Sequence, residues 1–209
     1  MTVLAFEFSS DRRSVALARD GVLLAEAVEQ TADRTTRAFR LVEQVLAEAK
    51  LAREEIEVIA VGVGPGSYTG IRAAIALAQG WQLARGVKLL GISSVAAMAA
   101  QARAEKIFGR IHFAVDAQRG EFYVAGWDIS EAECREILPL QIVPAAELVT
   151  RKVTGEICLG PEQERKFFPS ASALARLASG RSDFVPSSQL MPIYLRETTF
   201  VKSPVGRQI

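Results

Sequence analysis

Ile56-Glu57-Val58-Ile59-Ala60-Val61-Gly62-Val63-Gly64-Pro65-Gly66-Ser67-Tyr68-Thr69-Gly70 is the stretch whose reading decides the fold. Ile56 to Val63 is short, apolar and rich in β-branched residues, the pattern of a strand buried on both faces. Gly62, Gly64, Gly66 and Gly70 follow, Pro65 fixes one turn, and Thr69 is placed to cap a helix from about Gly70 to Arg85. A strand, a glycine-rich turn and a helix in succession is how α/β proteins cradle anions on backbone N–H groups. No Gly-Lys-Ser/Thr follows, so this is not a P-loop, and the spacing is not the dinucleotide fingerprint. Two readings stand. The glycines permit a tight turn and close helix–sheet packing, or Gly64, Gly66, Ser67 and Thr69 contact phosphate.

The helix after the turn leaves almost no polar face: Ile71, Ala73, Ala74, Ile75, Ala76, Leu77, Ala78, Trp81, Leu83 and Ala84 surround it. A helix apolar all round is buried on more than one side. One side can lie on the sheet; the other needs a neighbouring helix, a partner chain, or both.

Outward from this motif the chain alternates strands and helices. Val3–Ser10 reads as a strand entering a polar turn, and Ser14–Ala18 as a second strand. Asp20-Gly21 is a hairpin signal, and Val22–Val28 is the third strand. A helix is expected over 34–51 with Asp33 as its cap; Ala38, Val42, Val45 and Ala49 form a stripe that Phe39 and Leu46 widen. Val87–Ile92 is a strand, and Ser93 or Ser94 caps a helix to about Ala104. Ile111–Val115, the polar turn 116–121, Phe122–Trp127 and Ile137–Val143 then repeat the strand–turn–strand opening without a clear sequence repeat. A helix of about eight residues after Pro144, a short strand at Glu156–Leu159 and a helix at Ser170–Ala178 complete the pattern. Pro192–Arg196 is a short extended piece, and Arg196–Ile209 is expected to be a mobile tail.

This order predicts an α/β protein of two ribonuclease-H-like subdomains, the unit of the actin-like ATPases, with mixed sheets flanked by helices. The expected division is residues 1–106, carrying the partner-binding helices, and a smaller subdomain at 107–209 with the tail.

Composition sets limits on function. The 209 residues are 49% apolar and 23% charged, with a formal net charge of +1 from 25 basic and 24 acidic side chains. That balance supports a normal core and lacks the concentrated basic face of a protein that grips nucleic acid alone. Cys134 and Cys158 form no CxxC pair, which suggests reduced thiols in the cytoplasm. The N-terminus starts a strand at once and Glu7 breaks its apolar run, so no signal peptide is read there. No run is long and apolar enough for a membrane span.

Catalytic chemistry finds few residues. His112 is the single histidine, so neither a metal-ligand cluster nor a Ser-His-Asp triad is expected. Glu7 and Asp116 each end the first strand of their half and could face one cleft, which keeps a magnesium-dependent ATPase or nuclease open as the alternative. The simpler reading is that both carboxylates hold turns.

Gly62-Val63-Gly64-Pro65-Gly66-Ser67-Tyr68-Thr69-Gly70-Ile71-Arg72 closely resembles the signature of the TsaB family. Val3–Leu17 matches more loosely. Asp116-Ala117-Gln118-Arg119-Gly120-Glu121-Phe122-Tyr123 and Pro192-Ile193-Tyr194-Leu195-Arg196 look like two further family motifs. The chain departs in two places. Glu7-Phe8-Ser9 stands where members open with Asp followed by Thr or Ser, and Thr35-Thr36-Arg37 stands where the first helix carries a His.

The resemblance implies a non-catalytic scaffold with no catalytic or metal-binding residues of its own. It would bind a TsaD-like catalytic subunit, with a TsaE-like ATPase, in threonylcarbamoylation of the adenosine beside the tRNA anticodon. It implies a homodimer when alone, contact with tRNA only through the complex, and no cofactor held tightly by this chain, with ATP or ADP possible at the partner complex. The two apolar helices would carry the interface, through Ala38, Leu41, Val42, Val45, Ile71, Ala74, Ile75, Ala78 and Trp81.

Overall fold

A computed structural model describes residues 1–30, 37–153 and 156–196. Its elements run β1 (Thr2–Glu7), β2 (Arg12–Arg19), β3 (Val22–Gln30), α1 (Ala38–Ala49), β4 (Val58–Gly62), α2 (Tyr68–Arg85), β5 (Lys88–Ile92) and α3 (Ser94–Ala104). They continue as β6 (Gly109–Asp116), β7 (Glu121–Ile129), β8 (Cys134–Pro144), α4 (Ala145–Val153), β9 (Ile157–Leu159) and α5 (Ala171–Ala178).

Among the described residues the strands form two sheets, in the orders β3-β2-β1-β4-β5 and β8-β7-β6-β9. In the first, β1–β2 and β2–β3 are antiparallel, while β1–β4 and β4–β5 are parallel. The second repeats this without the last strand: β6–β7 and β7–β8 antiparallel, β6–β9 parallel. The strand order is the expected ribonuclease-H-like arrangement, present twice.

Side-chain alternation divides the first sheet between two cores. Leu4, Phe6, Val15, Leu17, Ile59 and Val61 face α1 and α2. Val3, Ala5, Ala16, Ala18, Val58 and Ala60 face α5. The second sheet buries Ile111, Phe113, Ala125 and Trp127 against Val95, Met98 and Ala102 of α3. In the chain the first sheet ends at Ile92 and the second begins at Gly109, and the helices pack across that boundary. α3 precedes that boundary and covers the second sheet; α5 follows it and covers the first. Ala97 of α3 joins the α5 core as well, so α3 is held on two sides, which suits its alanine-rich circumference.

Local differences from the expected elements have simple causes. α2 starts at Tyr68 with Ser67, not Thr69, as its cap: the Ser67 hydroxyl accepts from the Gly70 N–H at 3.3 Å. Either hydroxyl satisfies the capping rule, and the turn geometry selects between them. α1 is described from Ala38; Asp33 and the rest of 31–36 lie outside the described residues, as do 197–209, where a tail is expected. Residues 192–195 form no strand, although Ile193 N–H donates to Val63 O at 2.9 Å.

Candidate functional site

The glycine turn folds against the first strand of its own chain. Ser67 N–H donates to Ser9 O at 2.6 Å. A Cβ at Gly66 would lie 2.1 Å from Ser9 O, and one at Gly70 would lie 2.0 Å from Phe8 O. Gly66 also holds φ +146°, a conformation that disfavours any side chain. Below the turn Glu7 is wholly buried. Its carboxylate accepts from Ser9 N–H and from the Ser94 hydroxyl, each at 2.8 Å. A Cβ at Gly62 would lie 2.1 Å from Glu7 Oε2. Burial pushes the Glu7 carboxyl above its ordinary pKa, and the Ser9 and Ser94 bonds only partly oppose this. Glu7 is thus an internal strut joining the first turn, the central strand and the start of α3.

A cleft of about 830 Å³ opens between the two sheets. All four stretches that carry the family resemblance meet there, the first through Ser9, Ser10, Asp11 and Arg13. Gly66, Ser67, Thr69 and Arg72 line one side, Asp116 and Tyr123 the other, and Pro192 to Tyr194 cross its edge. Gly64 does not line it; a Cβ there would instead strike Ile71. Asp116 lines the cleft and Glu7 does not, so the two strand-end carboxylates do not share a site. Asp116 accepts from the Gln118 N–H at 2.8 Å and from the Gln118 side-chain amide at 2.6 Å, which is the turn-holding role expected of it.

The sequence reading missed several members of this cleft. Arg72 lies 3.3 Å over the Tyr68 ring and 5.3 Å from that of Tyr194, a cation–π sandwich. Tyr68 and Arg72 are one helical turn apart, so half of this contact is visible as an i, i+4 pair; Tyr194 comes from the far end of the chain. Burial raises the Glu162 carboxyl above its ordinary pKa, while backbone N–H bonds, that of Asp116 first, oppose the rise and the nearby charges of Asp116 and Asp11 add a smaller push upward. Arg196 donates to Ala117 O at 3.1 Å and pairs with Glu121, tying the C-terminal motif to the β6–β7 hairpin.

Two N–H groups of the turn bond the chain's own oxygens, Ser67 to Ser9 O and Gly70 to the Ser67 hydroxyl. Both signs of charge line the cleft, Asp11, Asp116 and Glu162 on one hand and Arg13 and Arg72 on the other. Among the described residues no three His, Cys, Asp or Glu side chains converge as a metal site.

The second feature is the outer face of α2. Of the residues expected at an interface, Ala38, Leu41, Val42, Val45, Ile71, Ala74, Ile75 and Ala78 are buried in the chain's own core, and Trp81 packs half-buried against it. The eight buried residues pack on the sheet side of their helices, so they are not available to a partner in this fold, whereas Trp81 keeps part of its surface outside. What remains outside is different on the two helices. α1 shows Arg40, Glu43, Gln44 and Glu48 with Phe39 as its large apolar residue; α2 shows Ala76, Gly80, Leu83 and Ala84. Phe39 is 67% exposed and Leu83 91%.

Comparison with known proteins places the chain. Residues 22–184 match the family model described as TsaD: tRNA N6-adenosine threonylcarbamoyltransferase. The tRNA threonylcarbamoyladenosine biosynthesis protein TsaB of Escherichia coli is 33% identical over 131 residues, 63% of this chain and 57% of that protein. The chain belongs to this family, on its TsaB branch. It thus spans less than two thirds of the E. coli relative. The TsaB of Haemophilus influenzae is 27% identical across 100% of this chain and 99% of its own length. A crystal structure from Pseudomonas aeruginosa, described as similar to the peptidase YeaZ, superposes with a TM-score of 0.80 at 27% identity, covering 93% of this chain and 99% of that one. Both relatives are named for tRNA threonylcarbamoyladenosine biosynthesis. Among the described residues no helix is long and apolar enough to cross a membrane.

Proposed function

We propose that this chain is a non-catalytic scaffold that binds a TsaD-like catalytic subunit in the threonylcarbamoylation of tRNA. The observation that carries the reading is the outer face of α2, which leaves Leu83 91% exposed on an otherwise folded chain. Ala76, Gly80 and Ala84 are exposed beside it, and a contiguous uncharged face of this kind supports a protein contact. The interface lies on Phe39 of α1 and on Ala76, Gly80, Leu83 and Ala84 of α2, one helical face outward from the residues that the sequence pattern selects. The same face serves a homodimer when the chain is alone. A TsaE-like ATPase joins the assembly, tRNA is met only through the complex, and the setting is the cytoplasm. The chain alone holds no nucleotide tightly, a reading supported by a glycine turn whose inner side rests on Ser9 and Phe8; any ATP or ADP is held together with the partner.

The test is to mix the purified chain with the TsaD-like subunit of its own organism and measure mass by size exclusion with light scattering. A one-to-one complex is expected, and Leu83→Asp should weaken it by about tenfold or more while changing stability by no more than about 0.5 kcal/mol. Magnesium-dependent turnover of ATP or RNA by the isolated chain, lost in both Glu7→Gln and Asp116→Asn, would overturn the scaffold reading in favour of an enzyme.

A further inference from the structure

We infer that residues 190–196 form a clasp that holds the cleft between the two sheets closed, and that it releases at Arg196. This goes beyond the scaffold reading, because such a clasp acts whichever partner the chain binds.

Leu190-Met191-Pro192-Ile193-Tyr194-Leu195-Arg196 belongs to no helix or strand. Pro192 fixes its own backbone and keeps Met191 extended, so the stretch reaches far for its length. Its two ends are attached to different sheets. At the first end Leu190 is buried in the core under α2, where a Cβ on Gly91 of β5 would lie 3.2 Å from its Cδ1. Ile193 packs on the same core, and its N–H donates to Val63 O at 2.9 Å. The Tyr194 ring lies 5.3 Å from the guanidinium of Arg72 on α2. At the other end Arg196 donates to Ala117 O at 3.1 Å and pairs with Glu121, one in the β6–β7 turn and the other at the start of β7. Between the ends Pro192, Ile193 and Tyr194 run along the edge of the cleft.

The sheets have a second attachment, and it lies on the opposite face of the first sheet. Ala97 of α3 packs with Ala171, Leu174 and Ala175 of α5 in the core on that face, while Val95, Met98 and Ala102 of α3 cover the second sheet. A molecule joined only there could hinge about α3. The clasp on the α2 face blocks that motion as long as both of its ends hold.

The ends are unequal. To release the first, Leu190 and Ile193 would have to leave an apolar core. At the second, Arg196 and Glu121 keep 31% and 40% of their side-chain surface in solvent, and an ion pair with that exposure is screened and weak. The Arg72 contact also carries a cost in the closed form. Arg72 Nη1 is buried and has no hydrogen-bond partner among the described residues; the guanidinium is held by the rings of Tyr68 and Tyr194. Lifting Tyr194 would return that N–H group to water, which recovers part of what the Arg196 contacts lose. Closed and open forms are thereby kept close in free energy, the condition for a two-state device.

The experiment measures the cleft in the full chain by double electron–electron resonance, with nitroxide labels on Val28→Cys and Ala146→Cys in a Cys134→Ser, Cys158→Ser background. Both positions are exposed and stand at the cleft end of their sheets: Val28 pairs with Ser14 at the start of β2, and Ala145 N–H, next to Ala146, donates to Gly120 O of the β6–β7 turn. Labelled chain is diluted with unlabelled chain, so that only distances within one protomer are read. The labelled parent should give one dominant distance. Arg196→Ala should raise the ratio of a longer distance to that one about tenfold. Glu121→Gln, which keeps an acceptor but removes the charge, should fall between. Salt at 1 M, where the screening length is about 3 Å, should move the parent in the same direction and leave Arg196→Ala unchanged. Arg181→Ala, which removes an ion pair with Asp183 outside the cleft lining, should match the parent. One unchanged distance in Arg196→Ala and in the parent at 1 M salt would overturn the clasp, as would an equal response to Arg181→Ala. Should Arg196→Ala fail to fold, the salt series on the parent decides by itself: a longer distance supports the clasp and an unchanged one overturns it.

Discussion

A methyl group added at Gly66 would sit 2.1 Å from the Ser9 carbonyl oxygen, whereas one added at Gly80 would meet nothing within 4 Å. The glycine turn and the outer face of α2 adjoin in one strand–turn–helix motif, and both are built of small residues. In the turn, smallness lets β4 and the start of α2 close onto the first strand. On the helix face, smallness leaves space outside the chain. A glycine-rich stretch therefore carries no functional meaning until the neighbour of each Cα is known. In this chain the turn that resembles an anion cradle is occupied by Ser9 and Phe8, and the plain helix after it offers the open surface.

Substitutions on either side of this contrast should differ widely in effect. The largest loss is expected from Ala78→Arg. Ala78 is fully buried on the sheet side of α2, so a guanidinium there is desolvated without a counter-charge, costing about 4 kcal/mol or more. Far-ultraviolet circular dichroism should show loss of folded structure. This variant consequently reports on the fold and not on the partner. Gly66→Ala comes next, at about 2–4 kcal/mol in denaturant unfolding, because it combines an unfavourable φ with a backbone clash. If Gly66→Ala were as stable as wild type, the turn would not be fixed on Ser9, and its N–H groups would again be candidates for an anion.

Glu7→Gln gives a smaller effect of opposite sign. The folded chain holds the Glu7 proton above the ordinary value of 4.5, so it binds more protons than the unfolded chain in the window above that value. The associated stability is complete below about pH 4.5 and declines as pH rises through the raised folded value. The substitution should remove that decline and, by keeping partners for Ser9 and Ser94, stabilise the neutral-pH protein by on the order of 1 kcal/mol. Unfolding curves of both proteins across pH 4 to 8 test this; parallel profiles would show that Glu7 does not titrate as an isolated buried acid. The smallest stability change, within about 0.5 kcal/mol, belongs to Leu83→Asp on the exposed side, where the readout is association.

Much of the architecture can be read directly from residue patterns. The β-branched runs, the Asp20-Gly21 hairpin and the helical periods mark each strand and helix to within a few residues, because these signals act locally. The doubled ribonuclease-H-like order is also legible, even without a sequence repeat, since strand–turn–strand followed by helices recurs in both halves. The exchange of α3 and α5 between sheets is not: α3 has no strong polar side, and the apolar face of α5 does not declare which of the two sheets it covers.

The site divides in the same way. Sequence alone determined that the turn at 62–70 must close tightly, that α2 has more apolar surface than one sheet contact uses, and that 62–72, 116–123 and 192–196 belong to one family pattern. Tertiary structure alone decided that these three stretches meet at one cleft, that Arg72 stands between Tyr68 and Tyr194, and that Glu7 is a buried strut while Asp116 is not. It also decided which side of α2 is spare. Periodicity identifies an apolar helix, but an all-apolar helix has no phase, and only the position of the sheet beneath it separates Ala78, which is buried, from Leu83, which is not.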